Sequence, residues 1–283
     1  TAPADRPALA LPGGQKIIVW PVVNIEHWLI DNPMPRTVLS PPTGVTLQPD
    51  LPNWAWHEYG MRRGFWRFLD AFNRFGIRPT LSVNGSVCTP YPKIAGAAHE
   101  AGWEFMGHGY VQVPTHRMEN QGAVIQQTVA AIERFTGAPP VGWLGPGLTE
   151  TLETPDLLAG AGIRYCADWV LDDLPCRIQT AHGPIFTMPY SVEMNDIPVV
   201  MIQHHDEEEL PRRMRLTAAR LKAEAATQGP KVMCFAIHAY ISGVPHRIGA
   251  LEAAIADLTA DPDLVFMQGR EILEWYAGSG DPT

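Results

Sequence analysis

The chain predicts an α/β fold, a single distorted barrel of about seven or eight β/α units spanning residues 1–283. Three observations predict it. Short continuous apolar runs such as Ile17 to Val23 and Lys231 to Ile237 read as strands buried on both faces, which is the signature of a parallel sheet. Between them lie segments with apolar residues at helical spacing. No Gly/Ser linker and no internal repeat divides the 283 residues, a length that α/β barrels commonly reach as one domain.

The elements follow in order. Lys16 to Val23 forms the first strand. A Pro-rich arm without periodicity follows, from Asp31 to Pro52, and segments of this length in compact domains commonly serve as lids or interface arms. Gly64 to Phe75 places Phe65, Trp66, Phe68, Leu69, Phe72 and Phe75 along a helical stripe. Arg78 to Val83 is a strand, Ile94 to Ala101 a helix, Trp103 to Met106 a strand, and Gly122 to Phe135 a helix closed by Gly137. Val141 to Leu144 is a short strand. A helix follows with Thr154 as N-cap ahead of Pro155. Ile163 to Tyr165 and Ile197 to Ile202 predict strands, Leu210 to Ala226 an amphipathic helix, Lys231 to Ile237 a buried strand, Ile248 to Thr259 a helix and Leu264 to Met267 a last strand.

Composition excludes several functions. The formal net charge is -9 with no basic run, which disfavours nucleic acid and anionic membrane surfaces as partners. The four cysteines, Cys88, Cys166, Cys176 and Cys234, are scattered and form no C-x-x-C pair, so free thiols are expected. Thr1 to Gly14 lacks the charged and apolar regions of a signal peptide, and no apolar run approaches the roughly 20 residues of a membrane span; a cytoplasmic protein is expected. No Gly-x-Ser-x-Gly elbow, Walker loop, dinucleotide fingerprint or His-Glu-x-x-His helix is present.

Polar residues instead gather just after buried strands, where α/β barrels place their sites. Asn24, Glu26 and His27 follow the first strand, Asn84 the second, and His108, Gln112 and His116 the third. Trp143 with Gly145-Pro146-Gly147, then Asp168, then His204 and His205, and finally His238 follow later ones. His108 and His238 each join a buried strand to a Gly-bearing loop and are the leading functional candidates. His27 reads as a packing histidine, and His57, His99 and His182 as surface or turn residues. A carboxylate and histidines on strand ends suit one divalent metal, zinc above all, with an open position for water.

Taken in order, several stretches resemble the polysaccharide deacetylase superfamily, and more closely its allantoinase and cyclic imide hydrolase branch. They are Trp56 to Arg62, Glu104 to Gly109, Gly142 to Gly147, Pro189 to Asp196, Ile237 to Gly243, and Pro245-His246-Arg247. The resemblance implies a deacetylase-type barrel and a hydrolase. It also exposes departures. Deacetylases carry two Asp at the first strand end, one a base and one a metal ligand; here Asn24 stands at the base position and Glu26 near the ligand position. Asn24 cannot accept a proton as a carboxylate does. Four residues after His108 comes Gln112 where the family has a second His, so His116 or Gln112 is left to complete the set Glu26, His108 and His116. The arginine motif is missing from Trp143 to Gly147, and His238 matches the late histidine that serves as general acid.

These changes point from an extended N-acetylated sugar toward a small cyclic amide, imide or ureide. On this reading a metal-activated or His-activated water opens the ring, His238 moves the proton, and Glu193 offers a substitute base. Asn195, Asp196 and Asn84 are expected to bind the ring's N–H and C=O groups, and Tyr110 and Trp143 to stack on it. A metal-dependent polysaccharide or peptidoglycan de-N-acetylase is the alternative, and an inactive small-ligand-binding barrel a second. The arm from Asp31 to Pro52, with Trp54 and Trp56 expected to be exposed, is expected to pack on a neighbouring subunit and predicts a homo-oligomer, a dimer or tetramer.

Overall fold

The computed structural model describes residues 9–41 and 44–280. Residues 1–8, part of the stretch in which no leader was found, lie outside them. One sheet organises the molecule. Its strands are β1 (Ile17–Ile25), β2 (Thr80–Val83), β3 (Glu104–Gly107), β4 (Gly142–Trp143), β5 (Tyr165–Cys166), β6 (Arg177–Ile178), β7 (Ile185–Thr187), β8 (Lys231–His238) and β9 (Leu264–Phe266). They pair in the order β6-β7-β5-β4-β3-β2-β1-β8, with β9 against Ile17–Val19 of β1. Every pairing is parallel except that of β6 with β7. The sheet curls into the expected distorted barrel, and the helices α1 (Leu51–Tyr59), α2 (Phe65–Arg74), α3 (Pro92–Glu100), α4 (Gln121–Thr136), α5 (Thr154–Gly160), α6 (Glu209–Gln228), α7 (Pro245–Thr259) and α8 (Gly269–Gly278) accompany it.

β1 shows why the sequence reads as continuously apolar. Ile17, Val19, Val23 and Ile25 pack outward with Phe65, Phe68 and Phe72 of α2, Met214 of α6 and Ile255 of α7. Ile18, Trp20 and Val22 point inward among Met106, Tyr165, Tyr190, Cys234 and Tyr276. Strand alternation carries that inward parity on to Asn24 and Glu26, which therefore reach the barrel's carboxyl end from inside. The opposite end is closed by hydrogen bonds. Trp20 Nε1 donates to Thr80 Oγ1 (2.8 Å), Thr80 Oγ1 to Glu104 Oε2 (2.9 Å), and Tyr165 Oη to Glu104 Oε1 (3.0 Å). The first N–H groups of α8 complete the cap: Gly269 donates to Thr80 (2.9 Å) and Arg270 to Glu104 (3.0 Å).

The barrel has a seam between β7 and β8. Asn195 meets Ala236 there in a single parallel bridge, with the Ala236 N–H donating to the Met194 carbonyl (2.9 Å). At the next rung His238 N–H donates to the Asp196 carboxylate (2.7 Å), so a side chain takes the place of a main-chain acceptor.

Three expectations are corrected. Ile197–Ile202 is a turn of π-helix with Pro198 in its first turn, because a six-residue apolar run fits either state and Asn195 Oδ1 accepts the Ile197 N–H (2.9 Å). His57, expected at the surface, is buried and stacks on Trp28 with centroids 4.3 Å apart. Trp54 and Trp56 are half-buried, and Trp54 Nε1 donates to the Trp28 carbonyl (3.1 Å), so both indoles pack on their own subunit. Between α1 and α2 a π-helical turn, Gly60–Gly64, lies against the loop after β8. A Cβ at Gly64 would stand 1.9 Å from the Ala239 carbonyl oxygen, so the two backbones touch with no side chain between them.

Candidate active site

Glu26 sits just past β1, 2% exposed, and five side chains converge on it. Oε1 accepts from Gln112 Nε2 (2.9 Å), and Oε2 accepts from Trp28 Nε1 (2.7 Å) and Tyr240 Oη (3.2 Å). His238 Nε2 lies 3.7 Å and His108 Nε2 3.9 Å from Oε1, ion-pair rather than hydrogen-bond separations. Burial pushes the Glu26 carboxyl up, but His108, His238 and the Arg36 guanidinium outweigh it and hold the group well below the usual carboxylate range. Glu26 is therefore a fixed negative charge and a poor proton acceptor.

The two histidines are aimed. His108 Nδ1 lies 2.7 Å from the Leu144 carbonyl, which only accepts, so that nitrogen carries the proton and Nε2 faces Glu26. His238 Nδ1 donates to Asp196 Oδ1 (2.6 Å), and Asp196 Oδ2 is held by the His238 N–H and by Ser242 Oγ (2.7 Å each). A buried Asp that fixes the tautomer leaves His238 Nε2 free to take and return a proton.

Beside them is a cavity of about 230 Å³ lined by Asn24, Glu26, His108, Tyr190, Asn195 and His238, with Leu144, Leu148, Ile197 and Ile202 as its apolar wall and Arg36 at its rim. Asn24 Nδ2 (3.0 Å) and Asn195 Nδ2 (3.2 Å) both donate to Tyr190 Oη. Tyr190's own O–H thus has no acceptor among the described residues, and burial keeps the phenol protonated. Asn24 Oδ1 is buried without a partner. Asn24 and Tyr190, which carry an unpartnered acceptor and an unpartnered donor, line the same small cavity, and buried orphans of this kind call for a ligand.

Other expected residues stand elsewhere. His116 is exposed in the short turn Thr115–Arg117 and lines an adjoining hollow, so Glu26, His108 and His116 do not assemble. Glu193 is exposed and pairs with Arg213 (3.2 Å), away from His238. Trp143 is buried in a cluster with Ile125 and Leu158, its face against Gly107. Tyr110 is half-buried in the loop after β3, where its carbonyl accepts the Ser86 N–H (3.0 Å). Asn84 acts from behind the site: Oδ1 accepts the His27 N–H (2.7 Å), while Nδ2 reaches the His108 carbonyl and Gln112 Oε1 (3.1 Å). Trp28, Tyr190, Tyr240 and Arg36 are the site residues sequence reasoning missed. Tyr190 and Tyr240 lay inside the quoted motifs, whereas nothing local marked Arg36.

This donor set does not fit a zinc centre. Gln112 turns its N–H toward Glu26 and its carbonyl toward Asn84, and N–H and O–H donors already occupy both Glu26 oxygens. A separate group, Glu150, Cys166 and Asp168, does bring three ligand-type atoms within 4.8 Å of one another. Its members bond to each other and to the loop: Cys166 Sγ to Glu150 (2.9 Å), Trp169 Nε1 to Glu150 (2.6 Å), and the Gly145 N–H to both Asp168 oxygens (2.9 and 2.8 Å). Burial and the Glu150 charge push the Asp168 carboxyl well up, and its bonds from the Gly145 N–H pin the 145–148 loop beside the cavity.

Comparison with known proteins agrees with this architecture. A polysaccharide deacetylase family model matches residues 56–166. A putative polysaccharide deacetylase of Schizosaccharomyces pombe is 25% identical over 224 residues, 72% of this chain and 69% of that one. Among solved structures, a probable polysaccharide deacetylase from Pseudomonas aeruginosa PAO1 superposes with a TM-score of 0.87 at 25% identity, covering 97% and 95% of the two chains. These matches show that the chain is similar to polysaccharide deacetylases and shares their fold. PuuE allantoinase shares the fold, with a TM-score of 0.89 at 23% identity over 99% of this chain and 96% of that one. Among the described residues no helix is long and apolar enough to cross a membrane.

Proposed function

We propose that this chain is a hydrolase of carbon–nitrogen bonds that opens a cyclic amide, imide or ureide. The carrying observation is the orphan pair, Asn24 Oδ1 beside the Tyr190 O–H. A ring amide is locked cis, so its N–H and C=O lie on one edge and meet an acceptor and a donor side by side. An acyclic N-acetyl group is trans by about 2.5–4 kcal/mol and points the two groups apart. The cavity of about 230 Å³ suits a small ring.

The residues supply a sequence of steps. His238 Nε2 removes a proton from water as the water oxygen attacks the ring carbonyl carbon. The Tyr190 O–H stabilises the oxyanion, and Asn24 holds the ring N–H. The imidazolium, 3.7 Å from the Glu26 carboxylate, then returns its proton to the ring nitrogen as the C–N bond breaks, leaving a freed NH2 group and a carboxylic acid that loses its remaining proton to solvent. Asp196 keeps the imidazole in register throughout.

Incubation with succinimide, dihydrouracil, hydantoin and allantoin, and with N-acetylglucosamine oligomers, tests the reading before and after a strong chelator. Ring opening is expected to survive chelation within about twofold, since no residue here needs a metal-bound water. His238→Ala is expected to lower it about 10³-fold, and Tyr190→Phe about 10²-fold. Acetate release from the oligomers without ring opening would overturn the proposal in favour of a de-N-acetylase, and ring opening abolished by chelation would return the metal to the centre of the mechanism.

A further inference from the structure

A second hollow, of about 500 Å³, adjoins the catalytic cavity and shares Arg36 and Gly147 with it. Its polar lining is cationic or neutral: Arg36, His116 and Arg117 with Asn32 and Gln112, and no Asp or Glu among the described residues. In a chain of net charge -9 this is a local reversal of sign. Arg36 stands at the junction. It is half-buried, it donates no hydrogen bond to any described residue, and its charge reaches Glu26. It is the only Arg or Lys among the described residues lining the catalytic cavity. A half-buried guanidinium commonly finds a carboxylate, and the one nearby, Glu26, already accepts from Gln112, Trp28 and Tyr240.

We propose that Arg36 is a carboxylate anchor, and that the ring opened here carries a carboxylate substituent directed from the catalytic cavity toward the hollow. The inference rests on the ring-hydrolase reading for its substrate class. A single planar fork matches the two oxygens of a carboxylate, and the other basic side chains, Arg117 and His116, line only the outer hollow, where the Arg117 charge attracts the anion rather than seats it. Asn24 and Tyr190 then read the ring's amide edge while Arg36 reads its charge. A neutral ring satisfies the first pair and leaves Arg36 without an ion partner.

Dihydrouracil and dihydroorotate, one ring without and with a carboxylate, provide the test. The wild-type chain is expected to favour dihydroorotate in kcat/KM by about tenfold to a hundredfold, the range of one charge-assisted pair. In Arg36→Gln that ratio should fall to near one, in Arg36→Lys it should fall part of the way, and raising the salt concentration should narrow it in the wild type. In parallel, calorimetry with the ring-opened compounds N-carbamoylaspartate and N-carbamoyl-β-alanine reads binding without turnover. Turnover of both rings with no preference, or with a preference that Arg36→Gln leaves intact, overturns the anchor while sparing the hydrolase. Tighter binding of N-carbamoylaspartate that Arg36→Gln abolishes, without turnover of any ring, keeps the anchor and sinks the hydrolase reading. Neither turnover nor a binding preference removes both.

Discussion

Glu26 and Glu104 are both buried glutamates, 2% and 6% exposed, at opposite ends of one barrel, and their environments drive them in opposite directions. At the amino end, burial raises the Glu104 carboxyl further than its hydrogen bonds from Arg270 N–H, Thr80 and Tyr165 lower it. At the carboxyl end, the same cost of burial is outweighed around Glu26 by His108, His238 and Arg36. Neutral donors satisfy a carboxyl without forcing it to ionise, whereas the facing His108 and His238 rings and the Arg36 guanidinium keep it charged. The first arrangement closes the barrel. The second leaves a charge beside a cavity, where in the proposed reaction it would steady the imidazolium of His238.

The largest expected break in this comparison is catalytic. Glu26→Gln should lower ring opening about 10³-fold by removing the counter-charge to His238, while Glu104→Gln should stay within about threefold, as steady-state assays of the two variants will show. Next is Gly64→Ala. Its Cβ would meet the Ala239 carbonyl at 1.9 Å, so the loop after β8 must shift; a loss of about 2–3 kcal/mol in denaturant unfolding is expected, with kcat falling as His238 moves. The pH dependence of stability sharpens the contrast. Glu26, lowered in the fold, contributes stability that is present above its unfolded pKa of about 4.3 and is lost as pH falls toward its folded value. Glu104, raised, contributes stability present below about 4.3 that is lost as pH rises through its folded value. Wild type minus Gln variant, measured by urea unfolding at several pH values, should therefore slope in opposite senses for the two sites. Parallel slopes would refute the distinction. The smallest effect is Tyr165→Phe, which removes one donor to Glu104 and should cost about 1 kcal/mol with turnover unchanged.

Glu26, His108 and His238 were legible in the sequence because each ends a strand buried on both faces, and parallel sheets direct strand ends to one rim. The barrel itself was legible for the same reason. His116 and Gln112 could not be separated by spacing: the choice depends on the turn at Thr115–Arg117, which swings His116 outward and leaves Gln112 on Glu26. Arg36, Trp28 and Tyr240 reach the site through the arm and the loop after β8 folding back on each other, contacts with no local periodicity. Ile197–Ile202 misled because six apolar residues look alike as strand or helical turn until Asn195 Oδ1 takes the Ile197 N–H. Glu193, offered by the sequence as a substitute base, is exposed and is claimed by Arg213 on α6, a partner twenty positions distant.

The seam at Asp196 has a consequence for how this chain can change over generations. Its carboxylate both orients the His238 ring and stands in for a rung of the sheet by accepting the His238 N–H. A substitution that silences the histidine through Asp196 also opens the barrel wall, so inactive descendants arising by that route would be selected against for misfolding before their lost chemistry mattered. Drift toward a folded but inert relative is channelled instead to Asn24, Tyr190 and Arg36 of the arm, whose side chains line the cavity and carry no rung of the sheet.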